Sequence, residues 1–568
     1  MRPTRHATSV GPEVARHGAV DAVVVGSGAG GGPVALALAR AGYRVVVLEK
    51  GPAYDQRDFV NDEVGQCRRD FYVPYLSDDP HVRQLAGGAT QRTNDGWTAC
   101  CVGGGTVHMA GFAFRLHPDD LRLATLLGPI QGSTLADWPI TWDELLPYYE
   151  RIEIELGVSG DARKNPFETH RRELPLPSLP VNAIASMVEQ GCRSLGLHPY
   201  PTARMILSRA WQGRARCQLS HFCANYGCEV GAKSSVLAAL LPKAVATGNC
   251  QVRPLCMAHT VELDRAGRAV AVRYLDPAGN EQRLGAAVVV VACTPMESTR
   301  LLLHSNVPDE SGQLGRNLMF LTLGTGTAVF KRSEPRIAGI DWRQPFVNRS
   351  FQDLYFVDGD NSNRRKGGTA TFLFPHANPI YTAERFATLG SKLTWGRALK
   401  AALRRHYRDI RELEFEVFTE TLPTAGSRVT LDPTVKDRRG LAVARFTEEH
   451  HALDVQTSRT LVARGLDVLR AMGGEEVTAT RVGSRSYYLQ SGTCRFGDDP
   501  KLSVLDRDCR FHAVPNLFVT DGSFMPTSGG VSHTLTIQAN ALRVGERIVA
   551  LGRSHQLFRR GGTRGTSR

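Results

Sequence analysis

A chain of 568 residues with 42% hydrophobic and 22% charged side chains is too long for one hydrophobic core and too apolar for disorder, so two or more folded domains are expected. The formal charge of +13 would suit nucleic acid, but it is concentrated in residues 1–17, 397–411 and 553–568, so no nucleic-acid partner is expected. The longest apolar runs, such as Ala286–Cys293, fall short of the roughly 20 residues that cross a bilayer, and the start of the chain carries arginines without the apolar stretch of an export signal, so a cytoplasmic protein without a transmembrane segment is expected. Twelve scattered cysteines argue against a secreted disulfide framework.

Residues 20–50, VDAVVVGSGAGGGPVALALARAGYRVVVLEK, form a complete βαβ pattern: apolar run, glycine-rich turn, helix, second apolar run and an acid. Gly26 permits the tight turn, Gly28 lets the backbone approach a pyrophosphate, and Gly31 lets the helix pack on the sheet. The helix N-terminus favours the phosphate charge through its free N–H groups. Glu49 ends the second strand, where a carboxylate accepts hydrogen bonds from a ribose diol and disfavours a 2'-phosphate, which argues against NADP.

Further along, residues 126–234 are rich in Pro, Tyr and Trp, and Trp142 to Leu156 predict a helix with apolar and acidic faces. Residues 336–485 hold runs such as GGTATFLF and LEFEVFTETLP that alternate like strands. Between them, RALKAALRRHYRDIR reads as an amphipathic helix with a basic, solvated face; contact with an anionic membrane or a partner through Arg404, Arg405 and Arg408 is the alternative. The Gly/Arg/Ser-rich end of the chain reads as a flexible tail.

Four stretches resemble the glucose-methanol-choline (GMC) oxidoreductase family: VGGGTVHMAGFAFR (102–115), VVVVACTPMESTRLLLHS (288–305), QLGRNLM (313–319) and SGTCRFGDDPKLSVLDRDCRFHAVPNLFVTDGSFMPTSGG (491–530). Within the family the pattern is most similar to gluconate and fructose dehydrogenase flavoprotein subunits and to FAD oxidases of aminoglycoside sugars. The resemblance implies an α/β FAD-binding Rossmann-like domain with an inserted α+β substrate domain on an antiparallel sheet. On that basis 18–125, 235–335 and 486–553 form the FAD domain, 126–234 and 336–485 the substrate domain, and 1–17 and 554–568 flexible tails. It also implies FAD in an elongated pose, with Gly104, Thr106 and Thr534 in the cofactor set beside the βαβ glycines. PNLFVTDGS reads as a strand, an Asp-Gly turn and a helix, which makes Asp521 and Gly522 candidates for a second cofactor contact.

The same resemblance places His108 against the flavin, where some family members carry a histidine bonded to the 8α-methyl carbon; a histidine that only hydrogen-bonds near the cofactor is the alternative. The family's catalytic histidine is replaced here by Leu489, and the asparagine of its Asn-Pro pair by Ser532, with His533 in the proline place. His533 is therefore the candidate base, expected to titrate near neutrality, with Gln490 and Ser532 as candidates to hold the substrate oxygen and Tyr487 or Tyr488 as fallback bases. A structural turn histidine is the bland alternative for His533. Cys217, Cys223 and Cys228 occupy the region where dehydrogenase relatives hold an iron-sulfur cluster, but without a CxxC pair a local disulfide or plain thiols fit better, and no metal is expected. The implied activity is FAD-dependent oxidation of an alcohol group of a sugar, aminosugar or sugar-acid-like substrate, with oxygen or another electron acceptor. The alternatives are a flavoprotein subunit of an electron-transferring complex, or a flavoprotein that has lost alcohol oxidation.

Overall fold

A computed structural model describes residues 8–554 and 557, apart from residues 16, 68–70, 169–172, 221, 338–345, 359–363, 376–377 and 389–392. The valine-rich strand Ala19–Val25 lies at the centre of the first sheet, parallel to Val45–Leu48 on one side and to Glu281–Val291 on the other. Cys250–Arg253 extends the sheet beyond Val45–Leu48, and Leu517–Val519 pairs with the end of Glu281–Val291. The antiparallel strands Ala269–Leu275 and Met257–Leu263 complete it. Both faces of the central strands are covered, which is why they read as unbroken apolar runs; each valine or leucine so buried contributes about 1.5–3 kcal/mol.

The helix Gly31–Arg40 covers this sheet and packs on the long C-terminal helix Thr534–Arg553, which in turn packs on Trp142–Leu156. The last of these matches the predicted helix. Thr141 accepts from Glu144 N while the Glu144 side chain accepts from Thr141 N, and Gly157 ends the helix at φ +71°. The five parallel strands all point their C-terminal ends at the turns that follow residues 25, 48, 253, 291 and 519, the end of an α/β sheet where ligands gather.

The second sheet is antiparallel throughout, in the order Glu475–Ser491, Met319–Lys331, Ile410–Thr419, Gly368–Leu373, Arg349–Phe351 and Tyr200–Pro201. The helices Ala452–Ala471 and Ala183–Ser194 share its apolar core with Phe330, Phe372 and Phe415. The expected antiparallel second domain is thus present, but the sequence partition needs three corrections. Met319–Lys331, assigned to the first domain, is the second strand of this sheet. Trp142–Leu156, assigned to the second, packs on the first domain's last helix. His81–Gln84 and Thr90–Thr93 join Arg428–Lys436 and Ala442–Thr447 in a four-stranded sheet that links both portions. Strand character is encoded locally by alternation, whereas sheet membership is decided by long-range pairing.

A buried ion network fastens that small sheet to the first domain. Arg300 donates to Asp437 Oδ2 at 2.7 Å and to Asp79 Oδ1 at 3.1 Å, while Lys50 bonds Asp79 and lies 3.0 Å from Glu297 Oε2. His81 meets Glu297 at 3.2 Å and stacks on Trp97. Burial opposes the charge on Glu297, but Lys50 and Arg300 hold its carboxyl well below the usual range. Removing one partner of a buried ion pair leaves the other uncompensated, so Arg300→Met is expected to cost about 3–5 kcal/mol. A clear drop in the urea unfolding midpoint should follow, and an unchanged midpoint would show that the network is not a structural brace.

Candidate active site

A continuous cavity of about 550 Å³ runs from the glycine turn after the first strand to the inner face of the second sheet. Its floor is made by glycines with distinct reasons to be glycine. Gly26 has φ +95°, and a Cβ there would lie 2.3 Å from the Ala292 carbonyl oxygen. A Cβ on Gly31 would lie 2.0 Å from the Gly26 carbonyl oxygen, so the helix could not start where it does. Gly28 differs: a Cβ there would be 3.6 Å from Gly104 Cα, an ordinary contact, and it would sit in the cavity lining. Protein packing does not demand glycine at 28. A phosphate lying against the backbone, as proposed for this turn, would.

Glu49 lines the same end. Its Oε2 accepts from Ser27 Oγ at 2.6 Å and Ser27 N at 3.1 Å, and its Oε1 from Gly51 N at 2.9 Å. Burial pushes its carboxyl up, opposed by those bonds. The Ser27 hydroxyl in turn accepts from Gly103 N at 2.9 Å, tying the 103–107 turn to the nucleotide turn. Gly104, at φ +56°, brings its backbone against Gly28, where a Cβ would stand 2.9 Å from Gly28 Cα. The Thr106 hydroxyl donates to Gly103 O at 2.6 Å and accepts from Val236 N at 2.9 Å. Thr106 therefore braces the turn through its side chain.

Asp521 needs a correction of the same kind. Its Oδ2 accepts from Thr294 N at 3.1 Å and from the Ser298 hydroxyl, and its Oδ1 accepts from Ser523 N at 2.8 Å and from the Ser523 hydroxyl. With four donors the carboxylate is saturated, so only the backbone of this segment is left to meet a cofactor. That backbone is close: a Cβ on Gly30 would lie 2.8 Å from Asp521 N, and one on Gly522 would lie 2.4 Å from Gln490 O. Gly30, unremarked in the sequence, is thus as constrained as its neighbours.

His108 lines the cavity beyond this turn. Its Nε2 lies 2.9 Å from Thr98 O, and because a carbonyl only accepts, Nε2 carries the proton and the lone pair is on Nδ1. The ring stacks on Tyr72 at 4.7 Å. His533, Ser532 and Thr534 lie in the wall at the start of the C-terminal helix, with Leu489 and Gln490 beside them. His533 is buried, and its Nδ1 has no hydrogen-bond partner among the described residues. Burial pushes the imidazole down to about 4, and the carbonyls of Gln490 and Ser528, which favour its protonated form, offset this only in part. The expected titration near neutrality is therefore corrected: desolvation dominates.

Gln490 is also reassigned. Its Nε2 donates to Tyr487 O at 3.0 Å and to Gly96 O, using both amide hydrogens, and its Oε1 accepts from Met296 N at 3.4 Å. The side chain ties its strand end to the Gly96 turn and to the helix Pro295–His304, and has no donor left for a substrate oxygen. Ser532 makes no hydrogen bond among the described residues, so its hydroxyl is available. The fallback base Tyr487 donates to Glu448 Oε1 at 2.8 Å, and burial with that carboxylate raises its phenol, away from a base's range. Tyr488 lines the cavity and is 44% exposed.

The far wall holds residues that no local motif announced. Arg204 is buried between the rings of Phe112 and Phe346, at 4.5 and 4.6 Å, donates to Asn348 Oδ1 and Ala110 O, and is pushed down to about 10 by burial. Glu416 is pushed up to about 7 by burial, with Arg481 and Arg204 opposing. Glu416 and Arg481 both pair with Thr325 across neighbouring strands, so they face the same side. Only the long-range register brings them together. Cys217, Cys223 and Cys228 are free thiols, and among the described residues no three His, Cys, Asp or Glu side chains are grouped to hold a metal ion. No helix among the described residues is long and apolar enough to cross a membrane.

These contrasts separate ligand from scaffold at the glycines. Gly28→Ala should leave the unfolding midpoint near native while weakening dinucleotide binding at least about tenfold, or about 1.4 kcal/mol. Gly31→Ala should instead lower the midpoint itself. Equal cofactor content in native and Gly28→Ala protein would remove the phosphate from this turn.

Comparison with known proteins agrees with this geometry. An FAD binding domain model matches residues 21–56, and two GMC oxidoreductase models match residues 133–321 and 423–541. The chain is 31% identical to a paromamine 6'-oxidase of Streptomyces fradiae and 30% identical to a 6'''-hydroxyparomomycin C oxidase of Streptomyces lividus, each match covering 93% of this chain and 91% of the relative. Among solved structures, a pyridoxine 4-oxidase from Mesorbium loti has the same fold, with a TM-score of 0.59 at 19% identity over 93% of this chain and 98% of that one. The chain belongs to the GMC oxidoreductase family and is an FAD-dependent oxidoreductase acting on CH–OH groups.

Proposed function

We propose that the chain oxidises a hydroxyl group of a sugar, aminosugar or sugar-acid-like molecule, with His533 accepting the hydroxyl proton. The observation that carries this reading is the continuous cavity, which has the glycine turn and Glu49 at one end and the His533–Ser532 pair, Arg204 and Glu416 towards the other. Charged groups of both signs among phenylalanines suit a polar, ring-shaped alcohol, with rings against its carbon face and charges at its hydroxyl or ammonium groups. The two relatives named as oxidases of paromamine and 6'''-hydroxyparomomycin C support an aminosugar.

When bound, FAD supplies the acceptor for the hydride that leaves the alcohol carbon. The chain's own part is positional and acid–base. Gly28 and Gly104 admit the cofactor backbone to backbone, Ser532 orients the substrate hydroxyl, and neutral His533 takes its proton. The Gln490 and Ser528 carbonyls favour the imidazolium that results, so the group that burial keeps neutral before reaction is stabilised once it is charged. Oxygen or another acceptor removes the electrons afterwards.

The pH dependence follows from the direction of the His533 shift. A folded-state value of about 4 means that the competent neutral form is present above that pH and lost below it. Flavin reduction under anaerobic conditions should therefore rise with pH through about 4 and stay flat through neutrality. His533→Ala should slow reduction by about a hundredfold or more without loss of FAD, and the acid limb should disappear. Native-rate reduction in that variant would move the base elsewhere.

His108 supports covalent attachment: with the proton on Nε2, the Nδ1 lone pair would add to the flavin 8α carbon after that methyl group has lost a proton, and the two electrons left on the flavin would pass to oxygen or another acceptor. Flavin should then remain with the acid-precipitated native protein and be released from His108→Ala. Full release from the native protein would leave His108 a hydrogen-bonding neighbour only.

A further inference from the structure

The strands Gly368–Leu373 and Ile410–Thr419 are antiparallel neighbours with Leu373 opposite Glu414, a pair that a two-residue turn can join. The chain instead spends residues 374–409 on an excursion containing the helices Pro379–Thr388 and Gly396–Arg404, neither of which buries a residue. Its base is fixed to the body. Tyr226 Oη donates to Asn378 Oδ1 at 3.2 Å and Glu63 accepts from Ile380 N and Tyr381 N at 2.7 Å, while Tyr407 Oη donates to Pro379 O at 2.8 Å and ties the two ends of the excursion to each other.

The excursion's surface combines two features. Leu393 and Trp395, just before the second helix, are 75% and 77% exposed, more than any other large apolar side chain among the described residues. Along the helix that follows, Arg397, Lys400 and Arg404 stand three and four residues apart on one exposed face, and Arg408 continues the row. Leu399, Ala402 and Leu403 on the other face are half-buried. Arg405 bonds Glu476 and Arg408 lies 3.7 Å from Asp409, but Arg397, Lys400 and Arg404 have no carboxylate partner among the described residues.

A cationic helix face alone is ordinary solvated surface. A cationic row led by an exposed tryptophan and leucine is not, because water gives those rings nothing, whereas a bilayer takes indole at headgroup depth and attracts the cations when its lipids are anionic. We infer that the 393–408 arm docks the protein on an anionic lipid surface, with Leu393 and Trp395 entering the headgroup region and Arg397, Lys400, Arg404 and Arg408 facing lipid phosphates. The arm leaves the body next to Phe374 and Pro375, which line the active-site cavity, so docking would bring the cavity wall near the bilayer. This inference is independent of the substrate reading.

The test is co-sedimentation of the full, FAD-loaded chain with phosphatidylglycerol–phosphatidylcholine vesicles, with pure phosphatidylcholine vesicles as the control. The protein should bind the anionic vesicles, release at high salt, and ignore the neutral ones. Each lysine or arginine near the surface is worth about fivefold in binding, so Arg397→Glu, Lys400→Glu and Arg404→Glu combined should weaken binding by well over about tenfold. Leu393→Ser with Trp395→Ser should weaken it at unchanged charge. Replacing Arg559, Arg560, Arg564 and Arg568 by serine should leave binding at the native level, and an unchanged flavin-to-protein absorbance ratio shows that each variant is folded. Equal binding to neutral vesicles, native-level binding by both arm variants, loss of binding on changing the tail arginines, or tighter arm-dependent binding to duplex DNA than to vesicles would each overturn the inference.

Discussion

Three segments far apart in the chain meet backbone to backbone beside the first sheet, and the site depends on that approach. Gly28 abuts Gly104, Gly30 abuts the Thr520–Asp521 peptide, and Gly31 sits over the Gly26 carbonyl. The approach is held by the Ser27 hydroxyl on Gly103 N and by the Thr520 hydroxyl, which donates to Gly30 O at 3.1 Å across 490 residues. Side chains are excluded from this floor, so a cofactor phosphate placed here, as proposed, would be met by peptide groups and a helix N-terminus rather than by cations. Thr106 and Asp521 spend their hydrogen bonds on the protein and so position the peptides of this floor.

The proposed base, His533, follows another logic. An exposed histidine titrating near neutrality would be half charged in the resting protein and unable to accept a proton in that fraction. Burial keeps His533 neutral, and the Gln490 and Ser528 carbonyls favour it once charged. In the proposed role a group so weakly basic at rest would take the proton most readily as hydride departs, when the hydroxyl proton is most acidic. The loss of the family histidine at Leu489 and the gain of one at 533 are linked by position: both residues line the cavity, and Gln490, next to Leu489, supplies one of the two carbonyls.

Much of this was legible in the sequence because it is local. The βαβ unit carries its own periodicity and glycines, and the helix Trp142–Leu156 carries its own capping box. The strand character of GGTATFLF and LEFEVFTETLP was equally plain. What was not legible depends on pairing over hundreds of residues. Met319–Lys331 alternates like any strand, and nothing in its residues says that it joins Glu475–Ser491 rather than the parallel sheet. Glu416 sits in a stretch legible as a strand, and Arg204 and Arg481 in stretches without a motif; all three become cavity walls only through long-range pairing. At two side chains the reading lacked the partners: Asp521 and Gln490 looked available in the sequence, and their hydrogen bonds to distant segments show only in the fold.

Gln490 shows how such a residue contributes without touching substrate. Its amide bonds the Gly96 and Tyr487 carbonyls and Met296 N, pinning the end of the longest strand of the second sheet against the helix Pro295–His304 of the first domain. The carbonyl of the same residue then faces two ways, close enough to Gly522 to forbid a Cβ there and towards His533 to favour its charged form. Cofactor turn and base are therefore indexed to one peptide, and the distance between them is set where the two sheets join. A shift of this strand end would move the proposed base relative to the glycine turn even with every lining residue unchanged, so under that proposal the junction of the sheets belongs to the catalytic geometry.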